Sequence, residues 1–249
     1  MKVFWFKPSL KGILRGISFV FLVLLVSPFG WAQPKIELHT KKTITEETLD
    51  YYLYYPEGYH DIKDQLFPLL LFLHGGGESG LDHQTIEKLG PPKMLVEDLN
   101  VPMLILAPQN PHTMQWWNTR AVKQLLDAVI QSNRVDTSRI YITGLSRGGA
   151  ACWEMAVHYP DTFAAMAVVC GMSPKPYAGW LNPEMGIWLF HGTADPIIPF
   201  EESQRMMNRL KQLGFSVTFT QYQGLGHEIW DRAYRTKNLF DWFLSHHLN

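Results

Sequence analysis

The sequence predicts an α/β fold in which a mostly parallel central sheet is covered by helices on both faces. Three observations predict it. Runs such as Phe67 to Leu73 and Pro102 to Ala107 are apolar almost throughout, the pattern of strands buried on both sides. They alternate along the chain with segments of helical spacing, as a layered α/β sheet requires. The chain has 249 residues, of which 46% are hydrophobic and 18% charged, which suits one globular domain of the larger kind and excludes a disordered chain.

In order, Tyr51 to Tyr55 reads as a strand. The run 67–73 is a second strand, ending at His74-Gly75, and 102–107 is a third. Residues from about 119 to 132 form a helix, because Val122, Leu125, Leu126, Val129 and Ile130 share one face. Arg139 to Thr143 is a strand and Ala150 to His158 a helix. Strands follow at 165–169 and 186–190, a helix near 201–213, a strand at 217–222 and a final helix near 236–246. Only residues 171–185 separate the two strands after the first helix pair, which leaves no room for a large lid domain. There is no internal repeat, low-complexity tract or linker.

The first 32 residues differ from the rest. Lys2, Lys7, Lys11 and Arg15 make a basic start without acids, Gly16 to Val26 is a short apolar run, and Gly30-Trp31-Ala32 offers small residues at a cleavage site. This reads as a secretory signal peptide; the run is too short for the roughly 20 residues of a membrane span. The chain thus divides into a signal at 1–32 and one catalytic domain at 33–249, with a secreted or periplasmic location and no membrane association after cleavage. Removing the signal's four positive charges takes the net charge from −1 to −5, and with no basic stripe anywhere, nucleic acid is excluded as a partner. Cys152 and Cys170 both lie in apolar stretches. An exported chain can pair them, or each packs as a small hydrophobe.

Four motifs carry chemistry. Gly144-Leu145-Ser146-Arg147-Gly148 is a G-x-S-x-G frame between a predicted strand and a predicted helix, the setting that exposes a serine nucleophile on a sharp turn. Leu73-His74-Gly75-Gly76-Gly77-Glu78 follows an apolar strand. Its glycines let a backbone N–H turn into the crevice, and with the N–H of Arg147 it makes an oxyanion site. His74 itself reads as structural. Asp195 follows the strand 186–190 in His191-Gly192-Thr193-Ala194-Asp195-Pro196, and His227 follows the last strand between glycines in Gly224-Leu225-Gly226-His227. Ser146, Asp195 and His227 thus stand in the chain order of an α/β-hydrolase triad, with His227 as base and Asp195 orienting it. His246 and His247 read as solvated residues of the last helix. No H-E-x-x-H, paired C-x-x-C or nucleotide loop is present, so the sequence calls for no metal or cofactor.

The segments LHGGGESG, APQNPHTMQWWNT, ITGLSRGGAACWEMAVHYPDTFAAMAVVCG, LFHGTADPIIPFEES and YQGLGHEIWDRAY together resemble the secreted α/β-hydrolase esterases. More narrowly they are similar to the feruloyl/acetyl-xylan-esterase and polyhydroxybutyrate-depolymerase-like branch, whose members also carry the labels predicted peptidase and prolyl-oligopeptidase-like hydrolase. The likeness covers roughly residues 45–248. It implies Ser146 as nucleophile, Asp195 as acid, His227 as base, and Gly76 (within one residue) and Arg147 as oxyanion N–H groups. Trp116 and Trp117 are implied as walls of the acyl pocket, ordinary aromatic packing being the alternative. The implied activity is that of an exported serine carboxylesterase acting on small-molecule or polysaccharide esters, acetyl or feruloyl groups among them; a serine peptidase of the same fold is the alternative. Oligomeric state is not legible. Relatives often carry an uncharged residue at position 147, and the Arg147 side chain is expected to pair with Glu78, to reach substrate, or to be solvated.

Overall fold

The computed structural model describes residues 47–97 and 100–249. The predicted signal peptide and the domain boundary at 32/33 therefore lie outside the described residues. No helix among the described residues is long and apolar enough to cross a membrane.

Seven strands form one sheet in the order β1-β3-β2-β4-β5-β6-β7. They are β1 (Tyr51–Tyr54), β2 (Phe67–Leu73), β3 (Leu104–Pro108), β4 (Val135–Leu145), β5 (Ala165–Val169), β6 (Gly186–Gly192) and β7 (Val217–Tyr222). Every neighbouring pair is parallel except β1 against β3. The expected α/β-hydrolase architecture is present.

Strands β2, β3 and β5 are apolar at every position because both faces are covered, and the side-chain period of two divides them and the second half of β4. Leu69, Leu71, Ile140, Ile142, Met166 and Leu189 point to one face. There they meet α2 (Thr119–Ser132), α3 (Arg147–His158) and α4 (Phe200–Gln212). Leu70, Phe72, Tyr141, Ala167 and Phe190 point to the other, beneath α1 (Gly90–Glu97), α5 (Trp230–Tyr234) and α6 (Leu239–Leu244).

The sheet order reverses at β2, whose flanking strands are β3 and β4. In such sheets the crevice for ligand opens at the carboxyl ends of the strands at the switch point. Leu73 at the end of β2 is in register with Gly144 near the end of β4, so the glycine loop and the G-x-S-x-G turn leave the sheet side by side.

Two details differ from the sequence reading. A short helix, α5, precedes the terminal one, which is confined to 239–244. His246 is not a freely solvated helix residue: it lies half-buried beyond α6, with Nδ1 2.7 Å from the Trp242 carbonyl and its ring 4.7 Å from that indole. Both cysteines are free and buried.

Candidate active site

Ser146 sits between β4 and α3 with φ 54° and ψ −117°, a conformation that costs a non-glycine residue about 1–3 kcal/mol. The surroundings over-determine it. Its N–H donates to the Val169 carbonyl at 2.9 Å, and its own carbonyl accepts the Ala150 N–H at 3.0 Å, opening α3. The two glycines of the frame are required by crowding. A β-carbon on residue 148 would lie 1.9 Å from the Leu73 carbonyl oxygen, and one on residue 144 would lie 2.6 Å from the Gly148 backbone.

The turn aims the hydroxyl at His227, whose Nε2 is 2.9 Å from Ser146 Oγ. On the other side of the ring, Nδ1 is 2.7 Å from Asp195 Oδ2. The carboxylate can only accept, so Nδ1 carries the proton and Nε2 is free to accept one from the serine. Asp195 is held in turn by the N–H groups of Ile197 and Ile198, which donate to Oδ1 at 2.8 and 2.9 Å. Burial pushes its carboxyl up, but the bonds from His227, Ile198 and Ile197 outweigh that and hold it below its ordinary value. The structure thus brings together Ser146, His227 and Asp195 from three strand ends.

The glycine loop after β2 is braced by His74, which has no exposed surface. Its Nδ1 is 2.8 Å from the Gly75 carbonyl, and its Nε2 accepts the Asn110 N–H at 3.1 Å. A neutral ring with the proton on Nδ1 satisfies both, and burial lowers its pKa to about 4, so it stays neutral. The Gly75 N–H donates to Glu78 Oε2 at 3.0 Å and is spent. Among the described residues neither the Gly76 nor the Gly77 N–H has an acceptor, so Gly75 drops out and these two are the donors the loop has to offer.

The expected pairing of Arg147 with Glu78 is not formed. Glu78 is turned back on its own loop, and burial raises its carboxyl above the ordinary value. Arg147 Nη1 instead donates to the carbonyls of Thr113 and Gln115 at 2.9 and 3.0 Å. Carbonyls of the 108–117 loop can satisfy a guanidinium fork without burying a second charge.

That loop carries Trp116 and Trp117, and the two diverge. Trp117 is 5% exposed, its indole N–H donates to the His74 carbonyl at 3.2 Å, and its ring lies 4.7 Å from the His74 ring. Trp116 is 57% exposed. Both line a cavity of about 360 Å³ that opens beside Ala150, one turn beyond Ser146, with Met172, Tyr177 and Glu154 on its other sides.

Two further residues lie near Ser146, Asp195 and His227, a placement the sequence does not indicate. Cys170, at φ 40°, follows β5, and its thiol lies with Asp195 and His227 so that one polar atom of each is within 4.8 Å of the others. Burial pushes the thiol up to about 12. This is the only group of three potential metal ligands gathered among the described residues. Two of its members already bond each other and the third is a neutral thiol, so it reads as packing around the triad. His191, at the end of β6, has Nε2 3.2 Å from Asp195 Oδ2. The H-G-T-A-D stretch placed it four residues before Asp195, but nothing local says that a strand residue turns back on it.

A model of the phospholipase/carboxylesterase family matches residues 108–240, which include Ser146, Asp195 and His227. A probable carboxylesterase of Oryza sativa subsp. japonica is 31% identical over 116 residues, covering 44% of this chain and 48% of that one. Poly(3-hydroxyalkanoate) depolymerase C of Paucimonas lemoignei is 27% identical over 135 residues, covering 42% and 30%. The chain spans about half or less of the length of such curated carboxylesterase relatives. Among solved structures, a thermostable esterase superposes with a TM-score of 0.69 at 27% identity, over 80% of this chain and 59% of that one. With the family model matching more than half of the sequence and the fold shared with an esterase, the chain belongs to the phospholipase/carboxylesterase family of α/β-hydrolases.

Proposed function

We propose that the protein is an exported serine carboxylesterase. The observation that carries the reading is the unbroken path from Ser146 Oγ through His227 to Asp195, at 2.9 and 2.7 Å, on a strained turn. In this reading Ser146 Oγ attacks the ester carbonyl carbon while its proton passes to His227 Nε2. Asp195 stabilises the imidazolium. The Gly76 and Arg147 N–H groups receive the negative charge that develops on the carbonyl oxygen, each such donor contributing roughly 3–4 kcal/mol. The tetrahedral species collapses, the C–O bond to the alcohol breaks, and the alcohol leaves with the proton from His227. Water then repeats the sequence on the acyl-enzyme and frees the acid.

The natural ester in this reading is an acetyl or feruloyl group on polysaccharide. Three things support it: the resemblance of the whole motif set, the absence of room for a large lid between β5 and β6, and the aromatic cavity one turn from Ser146. A relative named for a polymeric ester is consistent with a bulky substrate.

A product assay tests the reading on p-nitrophenyl esters of increasing chain length, methyl ferulate, acetylated xylan and an aminoacyl-amide. Turnover of the esters with little of the amide is expected. Turnover of the amide without the aryl esters would establish a serine peptidase instead. Export is checked on the secreted or periplasmic protein, whose N-terminus is expected just after Ala32; cell-associated protein retaining residues 1–32 overturns it.

A further inference from the structure

The proposed chemistry leaves one buried imidazole unused. His191 has no exposed surface, yet its Nε2 faces the acid of the triad and one of that acid's supports. Nε2 is 2.9 Å from the Ile198 carbonyl oxygen and 3.2 Å from Asp195 Oδ2. Nδ1 is 2.7 Å from Ser203 Oγ on α4. A carbonyl and an ionised carboxylate only accept, so the proton sits on Nε2 and Nδ1 accepts from the serine hydroxyl. The tautomer is set by the neighbours. The N–H is directed at Ile198, and Asp195 Oδ2 lies alongside the same polarised edge.

Ile198 is held at both its polar ends in one network. Its carbonyl accepts from His191, and its N–H donates to Asp195 Oδ1. Asp195 Oδ2, in turn, faces two imidazole edges, that of His227 at 2.7 Å and that of His191 at 3.2 Å. The Phe200 ring closes the site edge-on against His191 at 5.9 Å. Among the described residues the Cys170 thiol, from the end of β5, also lies against the Asp195–His227 pair.

We propose that His191 is a positioning residue for the triad: through Ile198 and Asp195 Oδ2 it fixes the direction in which the carboxylate meets His227. The inference rests on Ser146, His227 and Asp195 acting as the triad. Two consequences follow. His191 does not reach the cavity, so its loss lowers kcat and leaves KM unchanged. An Oδ2 freed of its second polar neighbour concentrates its charge on the His227 imidazolium. That favours the protonated ring, and the acid limb of the pH–rate profile moves to higher pH.

The test measures fluorophosphonate labelling at Ser146 first, then pH–rate profiles on p-nitrophenyl acetate for the wild type, His191→Gln, His191→Leu and Ser203→Ala. Glutamine carries an amide N–H that reaches the Nε2 position, and it is expected to keep kcat within about threefold and the acid limb in place. Leucine removes the donor and is expected to lower kcat about tenfold or more, the scale of a misdirected catalytic group, with the acid limb shifted upward by about half a pH unit. If His191→Leu does not fold, Ser203→Ala carries the test, because it frees Nδ1 and lets the ring turn. A fall in kcat with the limb displaced upward is expected there too. Variants that label and turn over like the wild type with an unmoved acid limb overturn the proposal, as does a glutamine that loses as much as leucine. A wild type that does not label at Ser146 takes down the triad reading itself, and the role of His191 with it.

Discussion

The guanidinium of Arg147 occupies the space in which a side chain on residue 76 would begin. A β-carbon on Gly76 would lie 2.8 Å from Arg147 Nη2 and 3.0 Å from Cζ. The two residues whose N–H groups make the proposed oxyanion site are therefore in direct contact, and the longer side chain continues past the glycine to tie down the Thr113 and Gln115 carbonyls. Arg147→Ala removes the donor from both carbonyls and opens a gap over Gly76. Turnover of a small ester is expected to fall severalfold, because the loop that carries both carbonyls loses its tie to the elbow. Arg147→Lys is expected to recover only part of it, because an ammonium lacks the planar guanidinium that packs over Gly76. Unchanged kinetics in the alanine variant would remove the bracing role.

The crowding at the elbow makes a contrasting pair of glycine predictions. Gly148→Ala places a methyl 1.9 Å from a backbone carbonyl oxygen, a clash that only a shift of β2 or α3 relieves. Denaturant unfolding is expected to show a loss of about 3 kcal/mol or more, or no folded protein. Gly77→Ala, with nothing within 4 Å of the added carbon, is expected to change stability by less than about 0.5 kcal/mol. Equal effects at the two positions would contradict the packing described.

His74 predicts a pH dependence of stability. Its folded pKa of about 4 lies below the ordinary value of 6.5, so between these values the unfolded chain binds the proton and the folded chain does not. Its contribution is complete above the unfolded value and is lost as pH falls from 6.5 towards 4, by about 3 kcal/mol in all. Unfolding in denaturant at pH 7, 5.5 and 4.5 is expected to show that decline. His74→Asn is expected to start less stable and to show a shallower slope over the same range. Parallel slopes would show that His74 does not titrate in this way.

The neighbouring tryptophans are expected to separate. Trp116→Ala alters an exposed wall of the cavity and raises KM for aryl esters more than for acetyl esters, with little change in stability. Trp117→Ala removes a buried indole that bonds the His74 carbonyl and costs about 3–5 kcal/mol. Thermal melts and substrate-dependent kinetics on the two variants distinguish the roles.

Much of this was legible in the sequence because it is local. The helix Thr119–Ser132 and the strand Ala165–Val169 match their predicted bounds, since an amphipathic period and an unbroken apolar run are each carried by the segment itself. That Ser146, Asp195 and His227 meet was legible because each follows a strand that runs into a glycine-containing turn. Helix α1 was not, because it begins Gly90-Pro91-Pro92, and prolines that read as loop punctuation are tolerated in a first turn, where their missing N–H groups have no helical partner to lose. The first residues of β4, Val135 to Ser138, were missed because their polar side chains break the apolar pattern. The partners of Arg147 are 32 and 34 residues away in the chain, and His191 bonds a residue of α4. Such contacts exist only once the sheet has placed the loops.

In the proposed mechanism Ser146 becomes acylated. Mixing the enzyme with p-nitrophenyl acetate and quenching at early times, followed by intact-mass and peptide analysis, tests it most directly. A burst of p-nitrophenol approaching one equivalent and an added acetyl group on the peptide containing Ser146 are expected, both absent in Ser146→Ala. Steady turnover by Ser146→Ala at the wild-type rate, or an acetyl group found on a different residue, would contradict it.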